Sequence, residues 1–327
     1  MQIVRGLNAL PELPNGSAVT IGNFDGVHLA HQRLLSCIVE TARAPGAAAI
    51  ALTFEPHPAC VLAPKRAPKM LTPLATKAKW IKQEGVDVLV VLPFTKELSR
   101  MPPAAFVHEI VAGRLRARTL CVGSNFRFGH RQAGSTETLA ELSGTEGFVL
   151  KVLPAVQVRG QVVSSSRIRQ LLTAGHVHMA GRMLGRPFSN SGRIVRGLGI
   201  GRREAAPTLN LAPIEEQLPG FGVYVSRAAL GGVIYPSVTN VGRKPTFGEH
   251  PVSVETHLLS FEGRIREGEM EVEYLHRLRD EIKFSNAAAL KAQIQEDVRR
   301  SHKFFRLLDY FRSKATLHPE INEGRNL

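Results

Sequence analysis

The sequence has few cysteines and no long apolar run. Its three cysteines, Cys37, Cys60 and Cys121, have apolar neighbours, no CxxC spacing and no histidine companions. This pattern favours buried thiols in a reducing compartment over a disulfide framework or a cysteine zinc site. No apolar run reaches membrane-spanning length, and the N-terminal segment lacks the features of a secretory signal. The sequence therefore predicts a cytoplasmic protein without a membrane partner.

Negative charge and aromatic residues are also scarce. Lys plus Arg number 42 against 28 for Asp plus Glu, which gives a net charge of +14. Such a charge attracts anionic partners, whether nucleic acid, acidic lipid or phosphorylated small molecules. Aromatic residues make up only 6% of the chain and do not interleave with the arginines, so stacking platforms for nucleic acid are not indicated.

The first 155 residues alternate short apolar runs with segments of helical spacing. Alternation of strand and helix predicts right-handed crossovers and a parallel sheet, which is a Rossmann-like α/β domain. We assign this domain to residues 1–180 and a linker rich in Gly, Pro, Ser and Asn to 181–191. The predicted strands are SAVTIG, AAAIALTF, VDVLVVLPF, RTLCVG and FVLKVLP, and one predicted helix face is formed by Leu34, Leu35, Ile38, Val39 and Ala42, another by Phe106, Val107, Ile110, Val111 and Leu115.

Beyond the linker the hydrophobic period changes from helix to strand. GVYVSRAALGGVIYPSVTNVG predicts two strands about a Gly231-Gly232 turn, and VSVETHLL and EMEVEYLHRL alternate apolar with polar residues. We therefore predict an antiparallel β-barrel at 192–315, closed by a C-terminal helix from about Ser285, and a polar tail at 316–327. The apolar stripe of that helix is Leu290, Ile294, Val298, Phe305 and Leu308.

The stretch TIGNFDGVHLAHQRLL lies where a predicted parallel strand turns into a helix. Open α/β sheets bind ligands at such turns, because helix N-termini offer free N–H groups and a positive dipole. Gly22 and Gly26 allow a tight turn, while His28 and His31 share one face of the first helical turn and suit a phosphate. The alternative is an ordinary turn in which Asp25 lies near the helix cap and the histidines face solvent.

Seven segments, taken in order, resemble the family of bifunctional riboflavin kinases and FAD synthetases. They are GNFDGVHLAHQ, TFEPHP, GSNFRFG, SSSRIRQLL, PTLNL, TNVGRKPTFG and VETHLL. The resemblance implies a nucleotidylyltransferase domain followed by a riboflavin kinase barrel. It also implies two reactions: ATP phosphorylates riboflavin to FMN, and a second ATP then adenylylates FMN to FAD with release of pyrophosphate.

For the adenylyltransferase the resemblance implies three groups of site residues. His28 and His31 match the paired histidines of the HxGH motif and would hold ATP phosphates during catalysis. The alternative for SSSRIR is a serine-capped helix with surface arginines. The alternative for GSNFRFG is that both phenylalanines belong to the core. His57 of TFEPHP would either contact phosphate or fill a turn. The other implied ATP-binding residues are Gly22, Asn23, Asp25, Gly26, Ser165, Ser166 and Arg169, and the flavin-binding residues are Asn125, Phe126, Arg127 and Phe128.

For the kinase the resemblance implies a catalytic glutamate and a magnesium site. Glu255 of VETHLL matches the glutamate that orients or deprotonates the ribityl hydroxyl, and Thr208 and Asn210 of PTLNL match the ligands of Mg²⁺ and phosphate. A solvent-facing glutamate and a Pro-Thr turn are the alternatives. The upstream flap that would cover the ATP phosphates has glycines at Gly197, Gly199 and Gly201.

Two positions depart from the family pattern. Ala30 replaces the usual glycine of HxGH, and Ala205 stands ahead of PTLNL where glycine is expected. One alternative is therefore a riboflavin kinase whose adenylyltransferase half has lapsed. Another, from a different class, is a basic nucleic-acid-binding protein with an OB-like barrel. The expected partners are riboflavin, FMN and ATP with Mg²⁺, and no nucleic acid.

Overall fold

The computed structural model describes residues 1–43, 46–195, 208–243, 252–261, 265 and 267–317. The chain forms two compact units, Met1–Ser165 and Ser166–Leu327. Within the described residues, no helix is both long and apolar enough to cross a membrane.

The first unit is built on a six-stranded sheet whose strands are all parallel, as predicted. The strand order is β1-β4-β3-β2-β5-β6, so the connections run in opposite directions on the two sides of the β2–β5 pair. Five strands fall on the predicted apolar runs, and the first is an additional edge strand. The strands are β1 Gln2–Arg5, β2 Ser17–Ile21, β3 Ala48–Glu55, β4 Val88–Pro93, β5 Ala117–Gly123 and β6 Val149–Leu153.

Helices cover this sheet, and both predicted helix faces are confirmed. Leu35, Ile38, Val39 and Ala42 are buried on the first helix. The second predicted face belongs to a π-helix, Phe106–Arg114, which continues a short helical turn. The helices of this unit are α1 Leu29–Arg43, α2 Pro58–Leu62, α3 Leu74–Gln83, α4 Pro103–Ala105 and α5 Thr136–Glu146, with 3₁₀ turns at Pro64–Arg66, Leu98–Arg100 and His130–Gln132 and a small hairpin of β7 Gln157–Val158 and β8 Gln161–Val162.

The cysteines follow the prediction only in part. All three are free thiols. Cys121 is buried and its Sγ lies 3.0 Å from the Sγ of the half-buried Cys37. Cys60 is exposed on α2, so the expectation of three buried thiols is wrong there, because that short helix buries none of its side chains.

The second unit contains the predicted antiparallel barrel. Its six strands close in the order β10-β13-β12-β11-β14-β9. Leu230 pairs with Val233 across Gly231 and Gly232, whose φ angles of 53° and 83° fit the two-residue turn that joins β11 to β12. The strands are β9 Phe188–Val195, β10 Thr208–Leu211, β11 Gly222–Leu230, β12 Val233–Arg243, β13 Val252–Leu258 and β14 Glu269–Arg279.

A chain of buried hydroxyls crosses the barrel wall. The Oγ of Ser226 lies 2.8 Å from that of Ser237 and 2.7 Å from Oγ1 of Thr239, and Thr239 continues to Thr256 at 2.9 Å. Each hydroxyl has a partner, so hydrogen bonds offset the cost of burying these polar groups. The alternation places Val254, Thr256 and Leu258 on the buried face of β13 and leaves Glu255 on the other.

Three helices complete the second unit: α6 Ser165–Thr173, α7 Val177–Leu184 and α8 Ala287–Leu317. Of the predicted stripe on α8, Val298 and Phe305 pack against the barrel residues Val223, Val238 and Leu259, whereas Leu290 is exposed. The helix extends through Leu317, and the rest of the predicted tail lies outside the described residues.

Most of the predicted linker 181–191 has regular structure. Residues 181–184 end α7 and residues 188–191 begin β9, which leaves only 185–187 between the two elements. The boundary between the two units falls between Ser165 and Ser166 in the sequence. All of α6 except its first residue, and the whole of α7, therefore belong to the second unit.

Candidate active sites

The β2–α1 turn occupies the switch point of the parallel sheet. β2 and β5 are neighbours, and their connections leave in opposite directions, so the turns after Ile21 and Gly123 flank one crevice at the carboxyl edge. Ligands of open α/β sheets bind at this position. Two predicted segments, GNFDGVHLAHQ and GSNFRFG, therefore begin at the same edge of the sheet.

The backbone of the β2–α1 turn is held in an uncommon conformation. Phe24 and Val27 have φ angles of 46° and 39°, although neither is glycine, and both side chains are fully buried. A β-branched residue at such an angle is strained, and strain of this kind persists where the surrounding packing fixes it, often at functional sites. Here the two buried side chains fix the path that leads to His28.

The two motif histidines are stacked on each other. Their ring centroids lie 3.6 Å apart with planes at 15°, and His31 also meets the edge of the Phe24 ring. The Nδ1 of His28 accepts the N–H of His31 at 3.4 Å, which joins the side chain of His28 to the first turn of α1. The Nδ1 of His31 is buried without a hydrogen-bond partner. Burial, followed by the charge of His28, lowers the pKa of His31 well below its usual value, so this imidazole is neutral at pH 7.

Asp25 and the two glycines brace the turn. The carboxylate of Asp25 accepts the N–H groups of Leu71 and Thr72 at 2.9 and 3.2 Å. The N–H of Gly26 is donated to Oγ1 of Thr72, and that of Gly22 to the carbonyl of Leu52. These groups fasten the turn to β3 and to the start of α3, so their binding of phosphate stays a prediction.

Ser165 is the last residue of the first unit, and only it and Ser164 of SSSRIR fall in that unit. Its hydroxyl donates to the carbonyl of Asp25 at 2.8 Å, which brings the start of this motif to the β2–α1 turn. Ser166 and Arg169 lie further along α6, in the second unit, and their contact with ATP stays a prediction. Asn23 offers its carbonyl to the hydroxyl of Thr53 at 3.2 Å, and His57 caps α2 through its Nδ1.

The segment GSNFRFG presents one phenylalanine and buries the other. Phe128 belongs to the core, whereas Phe126 is half-buried and stacks on it with centroids 5.6 Å apart. Gly134 is required here, because a Cβ atom would approach the Phe128 ring to 2.6 Å. Asn125 and Arg127 are exposed. Phe126, with these two polar side chains, is therefore better placed for a ligand than Phe128.

The predicted kinase residues come together on neighbouring barrel strands. Glu255 on β13 pairs with Asn210 on β10 and with Asn240 on β12. Directly opposed residues of antiparallel strands project from the same face, so the two amides flank the carboxylate. Thr208 lies two residues before Asn210 and so shares its face, opposite His257. Asn210 is buried, Glu255 is half-buried and Thr208 is exposed.

Asn240 lies beside the predicted catalytic residue Glu255, although no sequence motif points to it as a site residue. It lies within TNVGRKPTFG, and its place beside Glu255 follows from the register of β12 with β13. The flap glycines Gly197, Gly199 and Gly201, and Ala205, lie outside the described residues.

The hydroxyl, amide and carboxylate oxygens of Thr208, Asn210 and Glu255 suit a hard cation such as Mg²⁺. These residues lie on the paired strands β10 and β13. A metal ion bound there would take its remaining ligands from the phosphates of ATP. The described part of the chain contains no group of three or more His, Cys, Asp or Glu side chains that could hold a metal ion, whereas the oxygens described here come mainly from Thr and Asn.

The fold and the two residue groups define a class of protein. A parallel α/β unit with stacked histidines at its switch point, joined to a barrel with a carboxylate between two amides, is a two-domain enzyme of phosphate transfer. The model of the FAD synthetase family matches residues 10–167, and that of the riboflavin kinase family matches residues 184–305.

Similar proteins match nearly the whole chain. The bifunctional riboflavin kinase/FMN adenylyltransferase of Pseudomonas fluorescens is 36% identical over 91% of this chain and 96% of its own length. That of Escherichia coli K12 is 33% identical over 94% and 99%. A solved structure described as a macrolide-efflux protein from Streptococcus pneumoniae has a TM-score of 0.84 and 26% identity, covering 92% of this chain and 99% of its own. The chain belongs to the family of bifunctional riboflavin kinases/FMN adenylyltransferases and has both activities.

Proposed function

We propose that the two reactions are divided between the two residue groups described above. The stacked pair His28 and His31 serves adenylylation of FMN, and Glu255 with Thr208 and Asn210 serves phosphorylation of riboflavin. The observation that carries this division is that each group is assembled within one unit of the chain. FMN formed at the barrel is thus the substrate of the α/β unit.

In the kinase, Glu255 orients the 5′-hydroxyl of riboflavin and accepts its proton as the hydroxyl oxygen attacks the γ-phosphorus of ATP, whose bond to the β-phosphate oxygen breaks so that ADP leaves. Asn210 and Asn240 flank Glu255 and fix the direction of its carboxylate. Mg²⁺, when bound through Thr208 and Asn210, would neutralise charge on the ATP phosphates. The glycines at 197, 199 and 201 would cover those phosphates.

In the adenylyltransferase, the phosphate of FMN attacks the α-phosphorus of ATP and pyrophosphate leaves. The nucleophile is already an anion, so the protein has to align two anionic substrates and stabilise the charge at the transition state. His28 and His31 donate hydrogen bonds to the triphosphate, with Gly22, Asn23, Asp25, Gly26 and Ser165 holding the turn. Phe126 with Asn125 and Arg127 binds the flavin, while Phe128 supports Phe126.

We also propose that the protein works in the cytoplasm, on small phosphorylated substrates. The free thiols suit a reducing compartment. The net charge of +14 favours the approach of ATP and FMN, which are both anions, without requiring nucleic acid or a membrane as a partner.

A pair of variants tests the division. The purified full-length protein is assayed with ATP and Mg²⁺ in two samples, one started with riboflavin and one with FMN, because a variant that makes no FMN from riboflavin has no substrate for the second reaction. Glu255→Gln should lower FMN formation from riboflavin about 100-fold or more, because groups of this kind contribute that much, and leave FAD formation from added FMN intact. His31→Ala should do the opposite, and chromatography separates riboflavin, FMN and FAD in each sample. Equal losses of both activities in either variant would contradict the proposed division.

A further inference from the structure

A buried lysine stands beside the proposed ATP site. Lys77 lies on α3 and is 4% exposed, although lysine is almost never buried without a partner. No sequence motif points to it, since TKAKW has the composition of an ordinary amphipathic helix. Its neighbours Lys79 and Lys82 on the same helix are exposed.

The ammonium of Lys77 has no partner in the part of the chain that the structure describes. Its backbone N–H donates to the carbonyl of Pro73 at 3.0 Å, but its side chain makes neither a hydrogen bond nor an ion pair. Asp25, the nearest acidic side chain of the turn, is engaged by the backbone N–H groups of Leu71 and Thr72. A buried charge without a partner is costly, and such a group in a native protein commonly has a ligand as its counterpart.

The position of α3 brings this charge to the histidines. The residues just before α3 are fastened to the β2–α1 turn, because Asp25 accepts from Leu71 and Thr72 and the N–H of Gly26 is donated to Thr72. Lys77 follows within the first turns of that helix. It is close enough that its charge adds to burial and to His28 in lowering the pKa of His31.

The side chain of Lys77, which is 4% exposed, and the Nδ1 of His31, which is buried without a hydrogen-bond partner, therefore lie near each other at the switch point. Burial lowers the pKa of Lys77, and the carboxylates of Asp25 and Glu55 oppose that effect. Because His31 is neutral at pH 7, it cannot supply positive charge to a substrate. The lysine can.

We infer that the ammonium of Lys77 binds a phosphate oxygen of ATP in the adenylyltransferase site. The inference rests on the proposed placement of ATP at His28 and His31. Lys77 takes no part in proton transfer: the bond from the FMN phosphate oxygen to the α-phosphorus forms, the bond to the β-phosphate breaks, and pyrophosphate leaves as an anion. Lys77 reduces the repulsion between the two anionic substrates, as a compact point charge can in a site from which water is excluded.

The two possible roles of Lys77 predict opposite effects on stability. If it binds ATP, the ligand-free protein contains an unpaired buried cation, and Lys77→Met should leave the first unit as stable as wild type or more stable. If it is a structural brace, the same change should destabilise that unit. Trp80, the chain's one tryptophan, lies on α3. Its fluorescence therefore reports the unfolding of the first unit.

The experiment uses the full chain with Lys77→Met, Lys77→Arg and the matched control Lys82→Met. ATP dependence is measured for FMN adenylylation and for riboflavin phosphorylation in the same preparations. Lys77→Met should raise the KM for ATP in adenylylation about 10-fold or more, the scale of a lost charged hydrogen bond, without lowering the unfolding temperature. Lys77→Arg should recover part of that loss, the kinase should keep its KM in every variant, and Lys82→Met should match wild type in both reactions.

An unchanged KM for ATP in Lys77→Met, or lower stability with no selective change in that KM, would overturn the inference. His31→Ala in parallel separates it from the proposed site. If His31→Ala impairs adenylylation and Lys77→Met does not, only the role of Lys77 is wrong. If neither variant affects adenylylation, the placement of ATP itself is wrong.

Discussion

His31 shows how a single side chain couples the site to pH. Its pKa lies well below 6.5 in the folded protein because of burial and the neighbouring charge of His28, whereas in the unfolded chain it returns to about that value. Between the two pKa values the unfolded state binds more protons, so stability rises with pH in this window. The contribution of His31 is fully present above about pH 6.5 and is lost as pH falls towards the lowered pKa.

We therefore expect the first unit to become less stable as pH falls from about 6.5, and His31→Gln to flatten this dependence. Unfolding followed by Trp80 fluorescence at a series of pH values measures it. His130→Gln, at an exposed histidine of the same unit, is made as the matched control variant. A slope that is the same in wild type and His31→Gln would contradict this assignment.

At the scale of single residues, site features that depend on local spacing can be predicted from the sequence, whereas features that depend on tertiary packing cannot. His28 and His31 are three residues apart, so their shared face is predictable. The burial of Lys77 is different, because it follows from hydrogen bonds between Asp25 and residues 46 positions later in the chain. The same holds for Phe128, whose burial depends on its contacts with Phe106 and Gly134.

At the scale of the element, the first turn of α1 contains Ala30 where the family usually has glycine. Ala30 is half-buried and lies in the sequence between His28 and His31. Relative to glycine, alanine stabilises a helix by about 1 kcal/mol or less at such a terminal position. Since the chain belongs to a family with both activities, we expect the pocket to accommodate this methyl group. We expect Ala30→Gly to lower the stability of the first unit slightly and to change the adenylylation rate little. A large gain in FAD formation would show instead that the methyl group obstructs ATP.

The C-terminal helix, whose apolar residues pack on the barrel, is also attached to it by a buried ion pair. Arg279 of β14 contacts the carboxylate of Asp297 on α8 through two nitrogens at 2.8 to 3.1 Å, and Asp297 is buried. Asp297→Ala should destabilise the second unit by about 3 kcal/mol, because it leaves the guanidinium without its partner. The neighbouring pair Glu296–Arg299 is exposed, so Glu296→Ala should have little effect.

Thermal inactivation of riboflavin phosphorylation measures both changes, and Trp80 fluorescence shows whether the first unit is unaffected. If Asp297→Ala and Glu296→Ala inactivate at the same temperature, the ion pair does not attach the helix.

Helices and strands with a regular spacing of apolar residues could be predicted from the sequence, whereas the segment after α7 could not. Gly, Pro, Ser and Asn between 185 and 192 predict a linker, yet residues 188–195 form β9. Long-range side-chain hydrogen bonds hold these turn-forming residues in a strand: Ser189 donates to Glu271, and Asn190 donates to the carbonyl of Gln217. Local propensity gives way where tertiary partners exist.

At the scale of the whole molecule, α6 and α7 decide where the kinase can be separated. α7 packs against β14 and β9. The carbonyl of Leu172 in α6 accepts the N–H of Gly220 at 2.8 Å, and a Cβ atom on Gly220 would lie 2.4 Å from the carbonyl oxygen of Thr173. The two helices bury seven apolar side chains within the described structure, which are Ile168, Leu171, Leu172, Val177, Ala180, Met183 and Leu184.

We therefore expect a fragment of residues 166–327 to fold and to phosphorylate riboflavin without forming FAD. A shorter fragment that begins at Arg186 keeps every barrel strand but exposes the surface that α6 and α7 cover. Each large apolar side chain contributes about 1.5–3 kcal/mol when buried, so losing this layer should lower the unfolding temperature markedly or leave the fragment aggregated. Circular dichroism melting and riboflavin phosphorylation, measured on both fragments, test this. If the two fragments have equal stability and turnover, the kinase begins after α7 and does not need α6 or α7.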